Sequence, residues 1–464
     1  MTIQNKDILI RLYNQFDPNA SAEPSQYVNL SDVRGGDQFI HEVCQSLNLN
    51  SGGRVRALFT GHIGCGKSSE LHHLAHEMKH QKRKLSTKRY YPIVVDISDY
   101  VNPNDSSLVE ILLSTLLEVT HQLEANEGIK ANHPSLMKML NELLTEIGGI
   151  AKAGKISGTL GSFKAEFPMR SLDSSARQKT QTKLNGRVNL LLNEINEVLD
   201  DLSLKVRAIK VKQGEEPYSD LVLILDNLEK IVKIEGMVDE DTSQRALFIT
   251  GANLLKSIEA HTIYTVPLRL VRAYGEELAQ TYGERAFVLP NVKTEERQSH
   301  KSWQPGKDKL KEVFQQRLGT FEQKQAIETE ALDLILTYCG GHIRQFMMMI
   351  REASLQMDDA PITLKAAEKA IGRLVPAFTT GIKEGEWDRL AELELSDGGE
   401  WNADDKSKGR LLQQQYVLEY VNGAENDTFL EKTDPWYAVH PIVRELTKFK
   451  QAKKRRSAVA RVQE

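Results

Sequence analysis

Short apolar runs alternate with segments whose apolar positions recur every three or four residues. Residues 56–60, 90–98, 221–225, 262–266 and 286–289 are apolar stretches of strand length. A continuous run such as 221–225 marks a strand covered on both faces, as in a parallel sheet. Helical rhythm occupies 69–79, 107–124 and 243–259. In the first of these, Leu71, Leu74, Ala75 and Met78 share one face. The alternation predicts an α/β domain with a parallel sheet flanked by helices.

One connection is too long for a simple crossover. Residues from about 125 to 215 separate the second and third strands. Within them Leu184, Val188, Leu191, Leu192, Ile195, Val198, Leu199 and Leu202 trace a helical stripe, and 135–147 is a shorter amphipathic helix. Between the two, "GKISGTLGSFKAEF" (154–167) is Gly-rich and alternating, which predicts a hairpin. Bases outnumber acids there, but a solvated helical hairpin on the core is preferred to a partner surface. The polar stretch 294–308 reads as a linker. A helical block follows to 374. Residues 375–447 mix short helices with a hairpin, whose strands are 416–421 and 436–439 and whose turn starts at Asn422-Gly423.

Composition changes little. The 464 residues carry 40% hydrophobic and 27% charged positions, within the range of a globular chain of about three domains. A net charge of −4 exerts no global pull on nucleic acid. Cys44, Cys65 and Cys339 form no C-x-x-C pair, which points to a reducing compartment. The first residues, "MTIQNKDILIRLY", lack a signal-peptide core, and no apolar run has the length of a membrane span. A cytoplasmic protein with no membrane partner is expected.

The chemistry lies in "GHIGCGKSS", residues 61–69. Gly61, four residues, Gly66, Lys67 and Ser68 match the G-x-x-x-x-G-K-[ST] phosphate loop, between a strand and a helix. Gly61, Gly64 and Gly66 let the backbone curl so that amides face phosphate oxygens. Lys67 supplies charge, and the Ser68 hydroxyl is suited to Mg²⁺. His62, Ile63, Cys65 and Ser69 complete the expected cradle. Asp226, which closes "LVLILD", is the expected metal acid. The next residue, Asn227, can orient a water but cannot take its proton. Glu229 is a nearby candidate base. ATP and Mg²⁺ are the expected cofactors, and a slow ATPase the expected activity. His72, His76 and His80 recur every fourth residue of the helix after the loop, which is expected to be a solvated face.

These motifs resemble the AAA+ and STAND group of P-loop ATPases, nearest their origin-recognition-like branch. Val33-Arg34-Gly35-Gly36-Asp37 resembles the segment that borders adenine, with the Arg-Gly order reversed. Asp226-Asn-Leu-Glu229 resembles the branch's D-E-L-D motif, with Asn in place of the usual catalytic Glu. Thr265 matches the polar sensor 1 position. Gly340-Gly-His-Ile-Arg344 resembles the lid motif, whose arginine is sensor 2. The resemblance implies an arginine finger near Arg285 and a winged helix after the lid. The implied organisation is a P-loop ATPase core at 1–293 (helical insertion about 125–215), a helical lid at 294–374, a winged-helix-like domain at 375–447 and a basic tail at 448–464. It implies an ATP-dependent switch that forms a homo-oligomer and controls an effector protein, for example in bacterial anti-phage defence. The alternatives are a DNA-binding initiator or transposition ATPase and a non-hydrolysing ATP-bound scaffold. The tail carries Lys448, Lys450, Lys453 to Arg456 and Arg461. Acids crowd the start of the preceding segment, among them Glu384, Glu386, Asp388, Glu392, Glu394, Asp397, Glu400, Asp404 and Asp405. A protein partner is therefore preferred to DNA.

Overall fold

The apolar runs form a single five-stranded sheet in the computed structural model of the chain. Strands β1 (Arg56–Gly61), β2 (Arg89–Asp96), β3 (Tyr218–Asp226), β4 (His261–Thr265) and β5 (Phe287–Leu289) lie in the order β2-β3-β4-β1-β5. The β2–β3, β3–β4 and β1–β4 pairs are parallel. The structure describes residues 3–36, 38–80, 88–146, 159–163, 174–234, 237, 239–396, 401, 405–422 and 435–463. Among them no helix is long and apolar enough to cross a membrane. By contact the chain divides into two units, 40–60 with 71–287, and 1–39 with 61–70 and 288–464.

The helices before β5, in chain order, are α1 (Ile3–Gln15), α2 (Gln38–Leu49), α3 (Lys67–His80), α4 (Leu108–Glu127), α5 (Pro134–Glu146), α6 (Leu160–Phe163), α7 (Ser174–Asn185), α8 (Val188–Arg207), α9 (Glu240–Arg245), α10 (Ala252–Lys256) and α11 (Leu268–Tyr282). In the first of the two units just given, the central strand β3 is buried almost throughout, as its unbroken apolar run requires. α4 starts on a capping box, with the Ser107 side chain on the Glu110 amide and the Glu110 side chain on the Ser107 amide, and it ends at Gly128 in the left-handed conformation. The α8 stripe from Leu191 to Leu202 is buried, with Val188 half-buried. Ile195 and Leu199 meet Leu112, Leu116, Leu223 and Leu225 around one small cavity, so α8 packs with α4 on β3. At the start of β3, buried Asp220 takes hydrogen bonds from Ser203 (2.6 Å), Arg54 (2.7 Å) and Arg207 (2.8 Å).

In the other unit the helices continue with α12 (Gln304–Leu318), α13 (Gln323–Ala326), α14 (Thr329–Tyr338), α15 (Ile343–Ser354), α16 (Leu364–Gly381), α17 (Glu386–Leu395) and α18 (Lys406–Gln413). The antiparallel pair β6 (Val417–Val421) and β7 (Pro435–Val439) follows, then α19 (Pro441–Glu445) and α20 (Thr447–Gln463). α1 seats Phe16 against Phe314 of α12 and Phe346 of α15, with centroids 5.2 and 6.4 Å away. Tyr420 stacks on Trp436 at 4.6 Å across the β6–β7 pair.

Three expectations change. Residues 160–163 form a helical turn where a hairpin was expected, while 154–158 and 164–167 lie outside the described residues. Gly161 serves close packing there: a Cβ would lie 2.5 Å from Glu124 Oε2 and 3.1 Å from the Thr120 carbonyl of α4. The helix expected over 243–259 is broken into α9, a π-helical turn (Ala246–Thr250) and α10. At the break, a Cβ on Gly251 would meet Leu108 at 2.4 Å. The 294–308 stretch is anchored. Thr294 and Glu295 are buried, and Arg444 grips Glu295 in a bidentate pair at 2.6 and 2.7 Å. Asp37, Gly423, Asp397, Glu400 and Asp404 lie outside the described residues.

Gly341 gives a direct test of packing. Its φ is +71°, and a Cβ would fall 1.7 Å from the Val292 carbonyl oxygen. Gly341→Ala should destabilise the chain by about 3 kcal/mol or more. Gly372→Ala, inside α16 with nothing within 4 Å of the added carbon, should stabilise it by ~0.5–1 kcal/mol. Denaturant midpoints measure both, and equal midpoints for the two variants would refute the close approach at Gly341.

Candidate functional site

The phosphate-loop sequence closes a tight turn between β1 and α3. Gly64 and Gly66 have φ of +88° and +107°, a region that favours glycine. The space is also closed: a Cβ on Gly64 would sit 2.6 Å from Arg344 Cβ. The carbonyls of this loop are all engaged. Lys67 Nζ donates to the Gly61 and His62 oxygens, each at 3.1 Å. The Ile63 oxygen accepts from His342 Nε2 (2.8 Å) and Gln415 Nε2 (2.6 Å). The Gly64 oxygen accepts from the Arg344 amide (2.9 Å), and the Cys65 oxygen from Arg34 Nη2 (2.5 Å). The Cys65 amide donates to the His62 oxygen at 3.2 Å, and a run of successive amides in such a turn is the kind of backbone that can make an anion-binding concavity. α3 adds the positive end of its dipole.

The clamps on this loop are buried histidines and their neighbours. His342 caps α15, its Nδ1 accepting from the Gln345 amide at 3.2 Å. Nε2 therefore carries the proton that goes to Ile63. Burial lowers the His342 pKa to about 3. His62 Nε2 accepts from the Glu419 amide of β6 at 3.0 Å. Gln345 also accepts from His440 Nε2 at 2.6 Å, and burial holds the His440 pKa well below its ordinary value.

The N-terminal segment covers the start of α3. Val33 is buried in a 3-10 turn (Ser31–Val33), and its oxygen accepts from the Lys293 amide at 3.0 Å. Arg34 pairs with Glu70 at 3.4 Å, and Tyr27 donates to the same carboxylate at 2.8 Å. Ser69 Oγ accepts from the Ala22 amide at 2.9 Å, while Ser68 is half-buried. Cys65 is buried, with Sγ 3.7 Å from the Leu289 oxygen. Arg344 Nε donates to the Pro18 oxygen at 3.0 Å.

In the sheet unit, polar residues gather at the carboxyl ends of β2, β3 and β4, the edge where parallel α/β sheets bind ligands. Asp226 is buried, and one of its oxygens accepts from the Asn227 amide at 2.8 Å. Thr265 Oγ1 accepts from the Leu228 amide at 3.0 Å and donates to the Leu225 oxygen at 3.3 Å, which fixes the turn after β3. Glu229 is buried in that turn. Asp96 is opposite Asp226 in register, and its Oδ2 accepts from Asn227 Nδ2 at 2.7 Å. Arg285 is exposed and paired with Glu276 at 2.6 Å. Each unit holds a hard oxygen donor of the kind Mg²⁺ takes, the Ser68 hydroxyl in one and the buried Asp226 carboxylate in the other. Among the described residues, no group of three or more His, Cys, Asp or Glu is placed to hold a metal unaided, and the His72, His76 and His80 row is no exception. An ion that relies on phosphate oxygens for part of its shell needs no such group.

Asp96, His342 and Gln415 escaped sequence reasoning. Asp96 did leave a signal: "YYPIVVD" ends an apolar run on an acid, as "LVLILD" does. Gln415 left none, since its loop partner is 352 residues away.

No family model matches the chain, and no curated protein does. Among solved structures, the Drosophila ORC bound to DNA aligns over 97% of this chain and 93% of its own, at 10% identity and a TM-score of 0.38. The Cdc6p protein of Pyrobaculum aerophilum aligns over 96% and 98%, at 12% identity and 0.37. A Walker-type ATPase of Pyrococcus abyssi aligns over 92% and 99%, at 14% identity and 0.37.

The buried histidines make stability depend on pH in a defined direction. A histidine whose folded pKa is depressed binds a proton only on unfolding, so its stabilisation is complete above the ordinary value near 6.5 and is lost as pH falls toward about 3. Each such group should cost about 1.4 kcal/mol per pH unit below about pH 6. Denaturant titrations at about pH 7, 6 and 5 should show a flatter dependence in His342→Asn, which keeps a capping side chain. An unchanged slope would rule out a buried neutral His342.

Proposed function

We propose that the chain is a Mg²⁺-dependent, ATP-binding switch that hydrolyses ATP slowly. The observation that carries this is the fully engaged set of carbonyls from Gly61 to Cys65, with Lys67 buried among them. The Lys67 ammonium is a cation to which a triphosphate offers charge-assisted bonds. Gly61 to Ser69 cradle the phosphates, and Val33 and Arg34 border the base. Ser68 and Asp226 would hold Mg²⁺, which neutralises phosphate charge when bound. Thr265 and Arg344 sense the nucleotide, and Arg285 serves a neighbouring copy. The division into an ATPase core at 1–293, a lid at 294–374 and a winged-helix-like domain at 375–447 belongs to this proposal.

In this reading, nucleotide state controls assembly into a homo-oligomer and the grip on an effector protein. Support comes from the donors to the loop. His342 and Arg344 lie at the start of α15, and Gln415 and Glu419 lie beside and within β6. A change at the loop therefore reaches the start of α15 and β6. An anti-phage role and a cytoplasmic location rest on the resemblance and the sequence alone.

Lys67→Ala tests the ATP reading. Saturating ATP with Mg²⁺ should raise the unfolding temperature of the wild type, by ~2.7 kcal/mol of stabilisation at a hundredfold excess over Kd. The variant should show no shift. Equal stabilisation of both proteins would sink the assignment.

The DNA reading has an observation against it. The basic tail is helix α20, and four of its cations face acids of the same unit: Lys453 with Glu394 (3.3 Å), Arg455 with Asp388 (3.0 Å), Arg456 with Glu392 (3.0 Å) and Lys448 with Glu384 (3.1 Å). Charge committed this way offers less to phosphate. Duplex affinity should therefore have the same salt slope in wild type and in the Arg455→Gln/Arg456→Gln double variant. A slope reduced by nearly one unit per lost cation would restore the nucleic-acid reading.

A further inference from the structure

Ser69 and Arg344 are both held by one irregular segment, residues 17–22, which follows α1. It lies in the same unit as the phosphate loop and α15. Asp17, Pro18, Ser21 and Ala22 are half-buried, and Asn19 and Ala20 are exposed. A turn is closed by the Asn19 amide on Asp17 Oδ1 (2.9 Å) and by the Ala20 amide on the Asp17 oxygen (3.3 Å). The segment is anchored on either side. Phe16 is fully buried against Phe314 and Phe346, and the Ser25 oxygen accepts from Gln316 Nε2 of α12 at 2.6 Å.

α15 grips this segment with two arginines. Arg344 and Arg351 lie two turns apart on one face of the helix. Arg344 Nε donates to the Pro18 oxygen at 3.0 Å, and Arg351 pairs with Asp17 at 3.3 Å. The Arg344 side chain runs along the phosphate loop, since a Cβ on Gly64 would lie 2.6 Å from its Cβ and 3.0 Å from its Cδ. On the side of α3, the Ala22 amide donates to Ser69 Oγ at 2.9 Å. The two bonds share a property. A phosphate oxygen only accepts. A hydroxyl that accepts from a backbone amide keeps its own proton to donate. A guanidinium that donates through Nε is fixed in rotation, with its Nη pair on the far edge, and such a pair suits phosphate. The segment therefore takes from each side chain what a phosphate does not need, and fixes its direction.

We propose that residues 17–22 are a positioning strap. The Ala22 amide orients the Ser69 hydroxyl, and the Pro18 carbonyl orients the Arg344 guanidinium, so that both donate to the phosphates of the nucleotide. The proposal rests on the ATP reading above. Because both bonds persist when phosphate is held, the ordering of the two side chains is already complete before binding.

Calorimetry of the full chain with ATP and Mg²⁺ tests the strap through two mutant cycles. Ala22→Pro removes the amide proton, and Ala22→Ser keeps it. The proline variant should bind ATP about tenfold more weakly, and the serine variant within about twofold of wild type. Asp17→Ala releases the Pro18 turn from Arg351 and should weaken ATP by about threefold or more, and ADP by less. A strap that acts through these side chains has nothing left to position once they are gone. Ala22→Pro should then change affinity by less than about twofold in a Ser69→Ala background, and so should Asp17→Ala in an Arg344→Ala background. Losses that keep their full size in those backgrounds overturn the proposal, because they come from general disturbance of the fold. Tighter ATP binding by Ala22→Pro also overturns it, and makes the segment a competitor of the nucleotide. So do single variants that all bind as wild type does. If Ala22→Pro fails to fold, the Asp17→Ala cycle decides alone. Each of these outcomes, with wild type binding ATP, leaves the ATP reading intact. Wild type that binds no ATP removes that reading and the strap together.

Discussion

A carbonyl withdrawn from water must find a donor, and five consecutive ones in a tight, largely buried loop must find several. That constraint governs the unit containing the phosphate loop. The loop supplies two donors itself, Lys67 and the Cys65 amide, which gives to the His62 oxygen at 3.2 Å. The others come from Arg34 ahead of it and from His342, Arg344 and Gln415 far behind it. An unmade bond there would cost ~1–3 kcal/mol. The N-terminal segment, the start of α15 and the turn before β6 are therefore bound to one short backbone stretch. The same bonds hold the loop backbone, so stability and the proposed phosphate binding would share one cause.

The strand β3 carries an aspartate near each end, and their surroundings differ. Burial works against the charge on Asp220, but Ser203, the Leu221 amide and Arg54 prevail and hold its pKa below the ordinary value. That group is a structural tie between β3, α8 and the residues ahead of β1. Asp226 accepts a hydrogen bond from the amide of the next residue, and Asp96 stands opposite it in the β2–β3 register. One residue type thus serves as a strap at one end of the strand and, in the proposed function, as the metal acid at the other. The partners decide which, since three donors satisfy Asp220 from outside its own turn.

The charged segments near the C-terminus show how composition misleads when taken one segment at a time. An acidic stretch and a basic tail read separately as a repulsive field and a phosphate-seeking arm. Folded, α17 and α20 lie side by side and their charges meet. Exposed pairs of this kind contribute ~0–1 kcal/mol each. Their larger effect is on the outward field, because neighbouring opposite charges cancel at a distance.

The sequence by itself determined what depends on near neighbours. Apolar periodicity placed the five strands and the main helices, because side-chain direction repeats with the backbone and each face is read within a few residues. Glycine and lysine spacing located the loop, because its geometry is closed within eight residues. Tertiary structure decided which distant groups meet. Asn227 and Asp96 are 131 residues apart, and Gln415 and Ile63 are 352 apart. No local pattern encodes such meetings: they follow from strand order and register. For the same reason Gly161 was read as a turn signal, although its missing side chain lets α6 approach α4.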